Sequence, residues 1–118
     1  MTESVQQRRR FPRIRKESPV HVRKLGADFR EECAKTTTLS LGGCMFVARE
    51  PVGADTFVDL LISVRPQQVI EARGKVVYEQ AQVSGLYEVG VEFTSISEPD
   101  RRALMGLFED QIPGQFRG

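Results

Sequence analysis

A single histidine, His21, and two cysteines, Cys33 and Cys44, are all the imidazole and thiolate ligands the chain offers to a zinc ion. Zinc takes about four N, S or O ligands at tight spacing, and neither cysteine sits in a CxxC pair, so a zinc site is excluded. The two thiols read as reduced residues in or near strands. There is no GxSxG elbow, no HExxH and no P-loop, which removes the usual signatures of serine hydrolases, zinc proteases and nucleoside triphosphatases. His21 stands between Val20 and Val22 in an alternating stretch, so it points outward, away from any enclosed site. Glu31 and Glu32 are neighbours and fall on opposite faces of a strand, so they cannot share a substrate. No stretch approaches roughly 18 consecutive apolar residues, so no membrane-spanning helix is expected. The start, MTESVQQRRR, has no apolar run behind its charges and is not read as a secretory signal, which makes the cytoplasm the expected compartment. These absences point to a non-enzymatic binding module.

What is present fits one domain. The chain has 118 residues, of which 40% are apolar and 28% charged, enough for one modest core and close to the globular average. The net charge of +1 hides an asymmetry. Residues 1–16 carry six cations (Arg8, Arg9, Arg10, Arg13, Arg15, Lys16) against one acid, Glu3, while the remainder holds 11 cations and 15 acids. A basic arm on a mildly acidic body calls for an anionic partner or ligand at the arm.

Residues 1–7 are polar and aperiodic and read as disordered. Residues 8–16, interrupted by Pro12, read as an ordered or semi-ordered loop. Strand patterns follow at regular intervals. Ser18 to Lys24 alternates around Val20 and Val22. Phe29 to Leu39 is long and threonine-rich (Thr36, Thr37, Thr38), which suits a strand with one wet face. Cys44 to Ala48 is short and apolar, 56–64 reads as a buried strand, 69–79 alternates through Ala72, Gly74, Val76 and Tyr78, and 87–93 alternates through Tyr87, Val89, Val91 and Phe93. Turns are expected at Gly26–Asp28, 50–55, Arg65–Gln67 and 80–85. Six short strands at this spacing predict a six-stranded antiparallel β-barrel, with Gly74 and Gly90 at bends or bulges.

The C-terminal segment changes character. Ser97-Glu98-Pro99-Asp100 offers a serine N-cap, a proline in the first turn and an acid at N3, so a single α-helix is expected over 97–112. Leu104, Leu107 and Phe108 form its apolar stripe, with Ala103 at the margin, and the stripe is expected to cover one opening of the barrel. Pro113-Gly114 ends the helix, leaving 113–118 as a tail.

Two short motifs carry chemistry. Arg9 and Arg13 are four residues apart with Pro12 between them. Two guanidiniums on one curved loop clamp phosphates bidentately and donate to the O6/N7 edge of guanine; the alternative is a solvated basic tail. Ser40-Leu41-Gly42-Gly43 places a small hydroxyl beside two glycines that permit close backbone approach and positive φ; the alternative is an ordinary turn between strands.

Taken together, an R-x-x-x-R loop (Arg9 to Arg13) before the first strand and a [D/N]-x-S-x-x-G-like element, Thr38-Leu39-Ser40-Leu41-Gly42-Gly43, after the second resemble a PilZ domain, the bacterial receptor module for cyclic di-GMP. RRRFPR leading into PVHV, LSLGGCMF, and YEVGVEFTSISEPDRRALMGLF are similar to the family too, so the resemblance runs from Arg8 to Ile112. It implies that the 8–112 domain is a PilZ-like barrel. It also implies that Arg9 and Arg13 contact the phosphates and a guanine, and that Ser40, Gly42 and Gly43 line the opposite wall. Arg8 would stack on a guanine face, and Arg10 would stay solvated. The ligand is then cyclic di-GMP, with no cofactor and no metal.

Position 38 departs from the pattern. Asp or Asn offers guanine a paired contact that the single short hydroxyl of Thr38 does not, a difference of about 1–3 kcal/mol. No Asp or Asn lies within 33–43 to restore it by a shift. Two readings follow: a cyclic di-GMP effector that changes its contacts with an unidentified effector protein, or a degenerate PilZ-like adaptor that binds proteins without the nucleotide. A nucleic-acid partner is disfavoured, because the body is net acidic and the strands carry no aromatic stacking platform. Either reading suits a monomer or a homodimer.

Overall fold

The computed structural model describes residues 13–26 and 30–111. The segments expected to be disordered (1–7) or tail (113–118), and Arg8, Arg9 and Arg10 of the basic segment, lie outside the described residues. Among the described residues seven strands and one helix follow in order: β1 (Arg13–Arg15), β2 (Pro19–Lys24), β3 (Arg30–Ser40), β4 (Gly43–Ala48), β5 (Phe57–Arg65), β6 (Gln68–Ala81), β7 (Tyr87–Ile96) and α1 (Glu98–Gln111).

Every ladder is antiparallel, in the order β1-β3-β2-β5-β6-β7-β4, and β4 pairs back onto β3. Six strands therefore close into a barrel, and β1 is a seventh, short strand outside the ring. Closure depends on β3, which is 11 residues long. Its first half pairs with β2 and its second half with β4, so neither end is left as an open edge in the ring.

Alternation places the core. Val58, Leu60, Ile62 and Val64 of β5 point inward with Ile70, Ala72 and Val76 of β6, and Phe46, Val89 and Leu39 complete the interior, each nearly or fully buried. Burying side chains of this size contributes about 1.5–3 kcal/mol apiece. The β5–β6 turn at Pro66 and Gln67 is tight, and Gln67 takes a positive φ of 66° there. Helix α1 starts as its sequence predicts. The Ser97 hydroxyl accepts a hydrogen bond from Asp100 N at 3.3 Å, and Leu104, Leu107 and Phe108 enter the same core as the strands.

Three features differ from expectation. Residues 13–15 form a strand rather than a loop, because the outer half of β3 offers them a free edge beyond the end of β2. β6 runs two residues past the expected end, to Ala81, and β7 three residues past, to Ile96. Both are held in register by bulges, next to Gly74 and opposite Gly90, where strand glycines were expected to mark bends. Thr36, read as part of a wet face, is fully buried.

Thr36 is buried because it fills a kink. β1 and β2 run along the same edge of β3, with Arg15 opposite Thr38 and Pro19 opposite Lys35. Four residues on one side thus match three on the other, and the segment between β1 and β2 holds one residue too many. The Thr36 hydroxyl absorbs the mismatch: it accepts from Ser18 N at 2.9 Å and donates to Lys16 O at 2.6 Å. Backbone bonds from Lys16 N to Thr37 O and from Thr36 N to Ser18 O brace it. Thr37 itself bulges from the β3–β4 ladder at the same level.

Thr36→Val keeps the shape but strands a buried donor, Ser18 N, and a part-buried acceptor, Lys16 O. It is expected to lower stability by about 1–3 kcal/mol, read as a reduced urea midpoint with unchanged slope. Ser18→Ala is the contrast. The Ser18 hydroxyl is buried without a hydrogen-bond partner among the described residues, so its removal is expected to be neutral or stabilising.

Candidate functional site

Antiparallel pairing puts partner residues on one face, so the outer surface near β1 can be read across the strands. Arg13 faces Ser40, Ser40 faces Gly43, and Gly43 faces Glu92. The next outward row runs Arg15, Thr38, Met45, Gly90, Tyr78. These two rows form the floor and walls of a groove of about 590 Å³, lined by Arg13, Thr38, Ser40 and Gly43 on one side and Tyr78 and Glu92 on the other. That volume falls within the range of about 300–1,000 Å³ usual for small-molecule sites.

Glycine makes the groove. A Cβ on Gly43 would lie 2.1 Å from the carbonyl oxygen of Val91, so no other residue fits without moving backbone. Gly90 leaves the floor bare between Met45 and Tyr78. The expected positive φ is not used: among the described residues neither Gly42 nor Gly43 adopts left-handed backbone. The two strands are instead joined through Leu41 and Gly42, and the Ser40 hydroxyl ties the turn. It accepts from Gly42 N at 3.1 Å and donates to Gly43 O at 3.2 Å. Ser40 thus both builds the turn and lines the groove, so the two readings of this motif from sequence are compatible.

Of the residues singled out from sequence, Arg13, Thr38, Ser40, Gly42 and Gly43 all line this groove. Arg8 and Arg9 lie outside the described residues. Sequence reasoning missed Met45 on the floor and the far wall of Val77, Tyr78, Glu88 and Glu92. Only the strand register reveals them, since β6 and β7 are far from β1 in the chain. The charge of the described lining is mixed, with Arg13 at one rim and the carboxylates of Glu88 and Glu92 on the strand across the groove. The Tyr78 hydroxyl donates to Gln80 Oε1.

Other polar clusters sit elsewhere. Asp59 bonds Arg73 at 2.8 Å and Arg23 at 3.5 Å, and the Arg73 hydrogen bond above all holds its carboxyl below the usual range. None of the three lines the groove. His21 lies outward, 3.7 Å from Glu31. Among the described residues no group of three or more His, Cys, Asp or Glu is placed to hold a metal, and no helix is long and apolar enough to cross a membrane.

A closed six-strand barrel with a C-terminal helix, and a glycine-floored groove beside a short arginine-bearing strand, define a small ligand-binding barrel. The sequence profile of the PilZ domain matches residues 7–110, and the chain belongs to that family. Solved structures share the fold. The inhibitor of motility MotI/DgrA of Bacillus subtilis is 19% identical with a TM-score of 0.73, over 92% of this chain and 53% of that one. YcgR of Escherichia coli, solved in complex with c-di-GMP, is 18% identical with a TM-score of 0.71, over 91% of this chain and 47% of that one. The PilZ domain of YcgR with c-di-GMP is 17% identical with a TM-score of 0.61, over 95% of this chain and the whole of that one. This chain spans about half the length of the first two. Comparison with curated protein sequences gave no match.

The cysteines supply a check on the packing. Burial pushes the Cys44 thiol up to about 12, while Cys33 is exposed. Iodoacetamide in mildly alkaline solution is expected to modify Cys33 rapidly and Cys44 only after denaturant is added. Mass spectrometry distinguishes the two, and prompt double labelling of the native protein would contradict the placement of Cys44.

Proposed function

We propose that this domain is a non-enzymatic receptor for cyclic di-GMP whose groove, roofed by the basic N-terminal arm, holds the dinucleotide. The observation that carries this reading is the convergence of Arg13, Thr38, Ser40, Gly42 and Gly43 on one groove. These are the positions that the family resemblance marks for the ligand. Arg13 stands at the start of β1, at the groove's rim, and Arg8 and Arg9, which precede it in the sequence, are the further phosphate and guanine contacts of this reading. A guanidinium offers phosphate oxygens a bidentate contact that an ammonium does not. Ser40 and the Gly42–Gly43 backbone, already fixed by their own hydrogen bonds, present a rigid wall at little entropic cost.

Binding in this reading draws the arm onto the barrel, and the output is a changed surface for an effector protein in the cytoplasm. The nucleotide complexes known for related structures support the choice of ligand. The adaptor reading, based on Thr38 alone, has less behind it, because every other described motif position is present and lines the same groove.

The test is calorimetric titration of the wild-type protein with cyclic di-GMP, beside linear and mononucleotide controls. Arg13→Ala is expected to abolish measurable binding while circular dichroism shows the fold retained. Thr38→Asp is expected to tighten binding, by roughly five- to 150-fold. No heat from the wild type at high micromolar nucleotide would reject the receptor and favour the adaptor.

A further inference from the structure

The groove holds a charge that the receptor reading leaves unexplained. Glu92 lies in the same cross-strand row as Arg13, Ser40 and Gly43, on the opposite side of the bare glycine floor. Three strand spacings put its Cα roughly 14 Å from that of Arg13. Its side chain is exposed and makes no hydrogen bond or ion pair among the described residues. Lys75, its register partner on β6, has its ammonium 3.6 Å from Asp55. A free carboxylate is therefore aimed into the space that an anionic ligand would fill.

A carboxylate accepts hydrogen bonds and donates none. Facing phosphate it only repels. Facing the edge of guanine it meets N1–H and N2–H₂ side by side, two donors matched to its two oxygens. Asp or Asn at position 38 would serve that edge, and Thr38 does not. We infer that Glu92 is the guanine-reading residue of this groove, accepting N1–H and N2–H₂ of one base and so selecting guanine over adenine. The inference rests on the receptor reading above.

The surroundings suit a base at this place. Gly90, two residues before Glu92 on the same face of β7, has no side chain, and Tyr78 Cδ2 stands 3.7 Å and Met45 Cγ 3.8 Å from where a Cβ on Gly90 would be. The tyrosine ring and the thioether thus flank an open floor and give a purine an apolar face to pack against. Glu88 is the other carboxylate in the groove, but it pairs with Val47 and Gln80, on the far side of the Met45–Gly90 row from Ser40 and Arg13. Adenine presents an acceptor at N1, which the Glu92 carboxylate would oppose.

Glu92→Gln decides the matter by the sign of its effect. The wild type, Glu92→Gln and Arg13→Ala are each titrated with cyclic di-GMP and with cyclic di-AMP. If Glu92 reads guanine, Glu92→Gln weakens cyclic di-GMP binding by roughly tenfold or more and narrows the preference over cyclic di-AMP. A bystander carboxylate gives the opposite sign, because neutralising it relieves repulsion and the nucleotide binds more tightly. Unchanged or tighter binding of cyclic di-GMP by Glu92→Gln overturns the role of Glu92, and leaves the receptor reading standing when the wild type binds and Arg13→Ala does not. Failure of the wild type to bind removes both.

Discussion

The arrangement depends on one side chain that touches no groove residue's functional atoms. The Thr36 hydroxyl sits where β1 and β2 fall out of step along β3, and satisfies one backbone donor and one backbone acceptor that the mismatch would otherwise bury unpaired. Without it, the kink between Arg15 and Pro19 would expose polar backbone to the barrel interior. With it, β1 docks on the outer half of β3, and Arg13 is placed opposite Ser40. A buried hydrogen bond of this type adds only about 1 kcal/mol net to stability. Its larger effect is positional, since it fixes where a cation meets the glycine turn.

The same strand serves barrel closure and the groove. β3 completes the ring by pairing with β2 and then with β4, and its last residues form the groove's near wall. The far wall comes from β6 and β7, whose ladder is interrupted by bulges at Val77 and Thr94. The first of these turns Val77 and Tyr78 toward the groove. Barrel curvature and groove shape are therefore two results of the same irregularities, and the acidic far wall lies across a floor opened by Gly90 from the rim that carries Arg13.

Much of this could be read from the chain. Alternation located β2 and the centres of β6 and β7, because half-buried strands carry their burial pattern in the sequence, and the apolar run over 56–64 located β5. Pro66 marked the turn after β5, and Ser97 with Pro99 marked the start of α1. The family resemblance, resting on Arg9, Arg13 and the 38–43 stretch, anticipated a set of groove residues of which the described members do converge. Other features were not legible, for physical reasons. A threonine inside a barrel looks like one outside it until its backbone partners are known, so Thr36 was misplaced. β1 looked like a loop because its partner among the described residues is the far end of a strand more than twenty residues away. Tyr78 and Glu92 gave no signal, since a residue on a wall is identified by what lies across from it, and that is a property of register.

Gly43 carries a lesson about reading such domains from sequence. Any side chain there would collide with the Val91 carbonyl, whether or not a ligand is ever bound. The barrel itself enforces this glycine, so a relative that had ceased to bind nucleotide would still be obliged to keep it. Its presence certifies the fold, and judgement about ligand recognition must come from the side chains around it.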